Sequence, residues 1–174
     1  MLKPSRPGAR LAGVPIIEAG KVFNEGRLQI PCGSRLMYIL DTNVVSELRK
    51  AKAGRADEKV CAWASGIAST AMFLSVVSIL ELESGVLLIE RRDHRQGALL
   101  RTWMQGHLLP AFAGRILSVD LPVALCCARL HVPDPRNDRD ALIAATAITH
   151  GMTVVTRNVR DFENSPVPIF NPWD

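Results

Sequence analysis

The stretch MYILDTNVVSEL, residues 37–48, restricts the folds open to this chain more than any other. Met37, Tyr38, Ile39 and Leu40 form an unbroken apolar run, which suits a buried strand because a surface helix would interleave polar residues. Asp41 ends the run, and Thr42 and Asn43 are side chains suited to capping a helix predicted over 44–48. A carboxylate placed where a buried strand opens onto a helix is costly unless it has a partner. In open α/β sheets that position, outside the carboxyl end of a strand, is where ligands bind.

The rest of the chain repeats the alternation. A polar break at 50–57 precedes a helix predicted over 58–67, a strand over 72–76 and a long helix over 78–92. A further helix spans 94–108, then a strand 115–119 and a helix 122–130 opened by Pro122. Residues 138–150 form a helix closed by Gly151, followed by strands over 152–156 and 167–170. The pattern predicts a three-layer α/β/α fold with a mainly parallel central sheet covered on both faces. At 174 residues it fits one full domain, placed at 37–174. Residues 1–36 hold four prolines and five glycines without periodicity and read as a loose, disordered extension. Met37 is the expected biological start, and native peptides from 1–36 would refute that.

Charge narrows the partners little. The chain carries a net charge of +4, but six of its 21 Lys/Arg and only two of its 17 Asp/Glu lie in residues 1–36. Residues 37–174 therefore hold fifteen of each and are formally neutral, so overall basicity does not argue for nucleic acid. No apolar run reaches the roughly 20 residues needed to span a membrane, and a cytoplasmic protein is expected. Cys32, Cys61, Cys126 and Cys127 have no metal-binding spacing and read as buried free thiols.

The acids carry the chemistry. Asp41 ends the first strand, Glu81 follows the second, Asp140 stands in the first turn of its helix, and Asn158 and Asp161 follow the strand over 152–156. Each has a plainer reading. Ser78 and Glu81 form the S-x-x-E of a capping box, Asp138 and Asp140 suit a helix N-terminus, and Asp161 suits a local turn. Against those readings, Asp140 shares a helix face with Ala144 and Ala147, and Glu81 with Gly85 and Leu88. Small residues beside an acid let another element approach. Acids gathered together repel one another and protonate unless a cation sits among them. An oxygen set without matching His or Cys suits Mg²⁺ or Mn²⁺.

These stretches resemble the PIN-domain ribonucleases, specifically the VapC-type toxins of bacterial toxin–antitoxin pairs. The resemblance covers about 37–174 and rests on ILDTNVVSEL, SVVSILELESGV, DALIAATAITHGMTVVTRNVRDF and the tail FNPW, in order. FAGRILSVD and FNPW look closest to the FitB-like branch. The resemblance implies an endoribonuclease that holds Mg²⁺ or Mn²⁺ on Asp41, Glu81, Asp140 and Asp161 and cuts single-stranded RNA. Some relatives place an Asp directly after T-R, where this chain has Asn158; others share its T-R-N-x-x-D-F arrangement. On this reading Asp161 supplies the charge and Asn158 a neutral oxygen, Thr42 and Asn43 fix Asp41, Thr156 positions substrate or water, and Arg157 contacts phosphate. Basic clusters at Arg49, Lys50, Lys52, Arg55 and Lys59, and at Arg91, Arg92 and Arg95, are candidates for guiding RNA or simply solvated faces. Trp63, Trp103 and Trp173 read as packing residues. A small antitoxin partner and homodimerisation are also implied, with apolar surface expected around 86–89.

Two alternatives stay open. One is a non-catalytic PIN-like binding protein. The other is an aspartyl-phosphate phosphatase or receiver-like domain with Asp41 as nucleophile. The second lacks a lysine after Lys59 and has Asn43 where a D-x-D pair needs an acid.

Overall fold

The computed structural model describes residues 36–174, which belong to one compact unit. Expectations for residues 1–35, Cys32 included, lie outside the described residues. Five strands form one parallel sheet: β1 (Tyr38–Leu40), β2 (Met72–Ser75), β3 (Ile116–Leu117), β4 (Thr153–Val155) and β5 (Ile169–Phe170), ordered β3-β2-β1-β4-β5. The helices are α1 (Thr42–Arg49), α2 (Glu58–Gly66), α3 (Val76–Arg92), α4 (His94–Trp103), α5 (Leu109–Ala111), α6 (Leu121–Leu130) and α7 (Asp138–Thr149). The chain steps from β1 outward to β2 and β3, then returns to the other side of β1 for β4 and β5. The switch of direction lies between β1 and β4, the place where doubly wound sheets open a crevice.

Strand alternation splits the core into two layers. Leu40, Leu74 and Val155 face one side and pack with Val44, Val86, Leu100 and Met104. Ile39 and Val154 face the other and pack with Ile143, Ala144, Ala147 and Phe162. Both layers are apolar, which is why β1 and β4 read as unbroken hydrophobic runs. The α/β/α arrangement agrees with the sequence. Among the described residues no helix is long and apolar enough to cross a membrane.

Several boundaries differ for local reasons. The helix predicted from 78 begins at Val76, because the Ser75 side chain accepts a hydrogen bond from Val77 N–H and caps it. The Ser78–Glu81 capping box is therefore not formed; Ser78 Oγ donates instead to the Leu40 carbonyl at 3.4 Å. Nor do Thr42 and Asn43 cap α1, since Asp41 does so, accepting from Thr42 N–H. The helix predicted to end at 108 continues through a π-turn at Met104–Leu108 into α5, with Pro110 in that segment's first turn. Of the thiols, Cys127 is buried, whereas Cys61 and Cys126 are only half-buried. Trp63 packs edge-on against Tyr38 at 5.6 Å and lies 5.6 Å from Phe170, as packing residues should.

The α3–α4 hairpin has a close crossing. Arg101 clamps α4 to α3, with Nη1 donating to Glu83 at 2.5 and 2.6 Å and Nε and Nη2 donating to Glu90 at 3.0 and 2.9 Å. Gly97 makes this approach possible: a Cβ there would lie 2.5 Å from Glu90 Cα and 2.8 Å from Glu90 N. Gly97→Ala is expected to destabilise the protein by ~1–3 kcal/mol in denaturant unfolding, overcrowding outweighing the helix-propensity gain.

Candidate active site

The register of the sheet builds the site. Leu40 pairs with Val155 across β1 and β4, so the next residues, Asp41 and Thr156, emerge side by side at the carboxyl ends of both strands. The Asp41 N–H continues the ladder to Val155 O at 3.0 Å, and Thr156 N–H donates to Phe170 O at 3.1 Å. The two side chains are fixed before they emerge.

Asp41 is only 7% exposed and Thr156 is fully buried. Asp41 Oδ1 accepts from Thr42 N–H at 2.6 Å; Oδ2 accepts from Asn43 Nδ2 at 2.7 Å and from Thr156 Oγ1 at 2.6 Å. Thr156 Oγ1 in turn accepts from Asn43 Nδ2 at 3.0 Å and from Asn158 N–H at 2.9 Å. Asn43 Oδ1 takes the Arg157 N–H at 3.3 Å. A carboxylate offers about four lone-pair sites, so three accepted bonds leave Asp41 one free, on Oδ1.

The other acids gather around this one. Thr42 Oγ1 donates to Glu81 Oε2 at 2.6 Å, tying the first turn of α1 to the second turn of α3. Arg139 Nη1 lies 3.6 Å from Glu81 Oε1. Asp140, in the first turn of α7, is half-buried and accepts no side-chain hydrogen bond among the described residues. Its carboxyl is pushed up to about 6, by burial first and then by the charges of Asp161, Asp41 and Glu81, with Arg139 opposing. Asp41 is also raised, by burial first; its Thr156 and Thr42 hydrogen bonds oppose this, and Glu81 and Asp161 add to it. Glu81 and Asp161 thus act on both Asp41 and Asp140, which places the four carboxylates in one neighbourhood.

The plainer readings fail for Glu81 and Asp161 but hold at the start of α7. Glu81 caps nothing, as Ser75 holds that role. Asp138 and Asp140 do stand in the first turn of α7, where the helix N-terminus favours acids, although Asn137 caps it and Asp138 lies 3.7 Å from His131. The turn Val159–Asp161 has no side-chain cap. The small-residue argument holds at Ala144 and Ala147, both buried, but not along α3: a Cβ at Gly85 would meet nothing within 4 Å, and Leu88 is 56% exposed. Arg139 was the residue missed. Its signal was a base directly before an acid in NDRDAL, indistinguishable in sequence from a solvated helix end.

Arg157 is exposed at the mouth, its guanidinium 5.7 Å from the Trp173 ring centroid. Among the described residues no group of three or more His, Cys, Asp or Glu side chains is placed so that it could hold a metal ion. Asp41 keeps one free lone pair, and the Asp140 carboxyl accepts no side-chain hydrogen bond among the described residues.

Residues 38–166 match the family model described as PIN domain. The VapC ribonuclease Y4jK of Sinorhizobium fredii (strain NBRC 101917 / NGR234) is 36% identical over 143 residues, covering 79% of this chain and 99% of that protein. Toxin FitB of Neisseria gonorrhoeae (strain ATCC 700825 / FA 1090) is 35% identical over 142 residues, with the same coverage of each. The crystal structure of FitAcB from Neisseria gonorrhoeae superposes with a TM-score of 0.71 at 35% identity, over 79% of this chain and 99% of that one.

Proposed function

The chain belongs to the PIN domain family, and from that premise we propose that it is a metal-dependent endoribonuclease acting as the toxin of a toxin–antitoxin pair. The observation that carries the reading is the cluster of Asp41, Glu81, Asp140 and Asp161 beside the β1/β4 crevice, where burial first and neighbouring carboxylate charge second raise Asp41 and Asp140. The names of the relatives support the same chemistry, one a ribonuclease and one a toxin.

The donor set fits Mg²⁺ or Mn²⁺, held by Asp41 and Asp140 directly or through water. Such an ion, when bound, supplies neutralising charge to the phosphodiester and acidifies the attacking water. The chain's own groups do the positioning. Glu81 and Asp161 complete the shell or orient the water, and the Thr42 hydroxyl fixes Glu81. Asn43 and Thr156 hold the Asp41 carboxylate in one orientation. Asn158 adds a neutral oxygen, and Arg157 meets a phosphate of the bound strand. A small antitoxin that covers this mouth and a homodimer complete the reading. The exposed apolar side chains on α3 are Val76, Leu80, Leu87 and Leu88; Val86, expected among them, is core.

The test is direct. Purified protein freed of any partner should cleave single-stranded RNA with Mg²⁺ or Mn²⁺, stop in chelator and recover when the ion is restored. No cleavage under any ion, or cleavage undiminished by chelator, would overturn the reading. Thr156→Val should lower the rate roughly 10- to 100-fold, as losing a group that orients a metal ligand does, while Thr156→Ser restores it.

A further inference from the structure

Next to the acids lies a cavity of about 540 Å³, between the loop 131–137 and the turn 159–164. It shares Asp140 and Asp161 with the acid cluster, so whatever enters it lies against the proposed cleavage centre. The volume falls within the roughly 300–1,000 Å³ of small-molecule sites. Its chemistry is two-sided. Val132, Pro133 and Pro135 give one wall its stiff apolar part, with the Asp134 carboxylate between the two prolines. Asn164 and Arg160 give polar groups on the turn opposite. Arg160 is exposed and makes no ion pair among the described residues.

The walls are tied together. Arg136 Nε donates to Leu130 O at 2.8 Å, its Nη2 donates to Asn164 O, and its N–H donates to His131 Nδ1 at 3.2 Å. One guanidinium thus fastens the loop both to the end of α6 and to the turn. Phe162, only 1% exposed, anchors that turn between Asp161 and Asn164 in the core. The cavity is built before a ligand arrives.

Unpaired RNA bases present apolar faces and polar edges, and proteins read them by packing the face and hydrogen-bonding the edge. Phosphates next to four carboxylates need a neighbouring positive charge. We infer that this cavity is the slot for one unpaired nucleobase flanking the scissile phosphate, with Val132, Pro133 and Pro135 against the base face, Asn164 at its edge and Arg160 on the adjoining phosphate. The slot makes cleavage depend on the identity of one base. It deepens the nuclease reading and rests on it.

The experiment uses the full chain and short single-stranded RNAs that differ only in the bases flanking the cut. Wild type should prefer one base at one flanking position. Asn164→Trp, which fills the cavity, should lower kcat/KM about tenfold or more on the preferred RNA and flatten that preference. Val132→Trp, at a position 75% exposed on the opposite wall, repeats the test if the first variant fails to fold. In the second arm, Arg160→Gln is combined with Asp41→Asn so that RNA stays uncut, and binding is followed by fluorescence anisotropy. Affinity should fall equally for every sequence, and the slope of log K against log salt should shrink by about 0.7, the value of one single-strand phosphate contact. An active wild type whose preference survives Asn164→Trp and Val132→Trp, or an unchanged salt slope, overturns the slot. An inactive wild type overturns the nuclease reading, and the binding arm still decides the slot because occupancy needs no cleavage.

Discussion

Asp41→Asn is expected to fold and to lose RNA cleavage by roughly 100- to 1,000-fold, the scale on which removing one charge-stabilising group from an active site falls. The substitution keeps shape and removes charge. Asp41 accepts three hydrogen bonds, two on Oδ2 and one on Oδ1. An asparagine can keep its oxygen toward Asn43 and Thr156, but its amide then faces the Thr42 N–H, so one bond of the α1 cap is lost at about 1–3 kcal/mol. Relief of a buried charge repelled by Glu81 and Asp161 offsets part of that cost. The thermal midpoint should therefore move by only a few degrees, while initial rates with saturating Mn²⁺ collapse. Equal rates in the variant and wild type would mean that Asp41 is not the centre of the chemistry.

The second large effect joins pH to metal. The folded-state carboxyl of Asp140 sits at about 6 against an ordinary 3.8, and Asp41 is also raised. Between these values the folded state binds more protons than the unfolded state. In chelator, stability should thus fall as pH rises from 5 through about 6 and level off above. Glu47 and Glu90 are lowered, so the stability they contribute is lost only in more acidic solution and leaves this window undisturbed. Added Mg²⁺ should raise the midpoint more at pH 7.5 than at pH 5, since protons and cation compete for the same oxygens. Asp140→Asn should stabilise the chelated protein above pH 6 and blunt the Mg²⁺ response. A midpoint that rises with pH in chelator, or an Asp140→Asn protein that responds to Mg²⁺ like wild type, would contradict the electrostatic cluster.

Much of this was readable in the residues. Strands buried on both faces announce themselves as apolar runs, and β1 and β4 did so at 37–40 and 152–156. The edge strands β3 and β5 are two residues each, shorter than the apolar stretches that contain them, because pairing ends before apolarity does. The helix expected to end at 108 is carried past Pro110 by the π-turn. Asp41 was legible because it ends β1 and Asp161 because it follows β4, whereas Glu81 and Asp140 stand in the opening turns of α3 and α7. The Asn43 bond to Asp41 was expected too, but what the Thr42 and Ser78 hydroxyls do was not. Cap-forming side chains are interchangeable in sequence, and only the backbone decides that Asp41 and Ser75 cap, freeing the others to reach Glu81, Asp41 and the Leu40 carbonyl. Arg139 and the cavity walls depend on loop packing, which no periodicity encodes.

Crystals of the partner-free protein soaked in Mn²⁺ give the most direct reading. Anomalous scattering should place an ion in contact with Asp41 and Asp140, at about 2.1 Å or through one water, and the peak should vanish in Asp140→Asn. An ion bound elsewhere while this pocket stays empty, or a peak indifferent to that substitution, would contradict a shared cation as the reason these carboxylates converge.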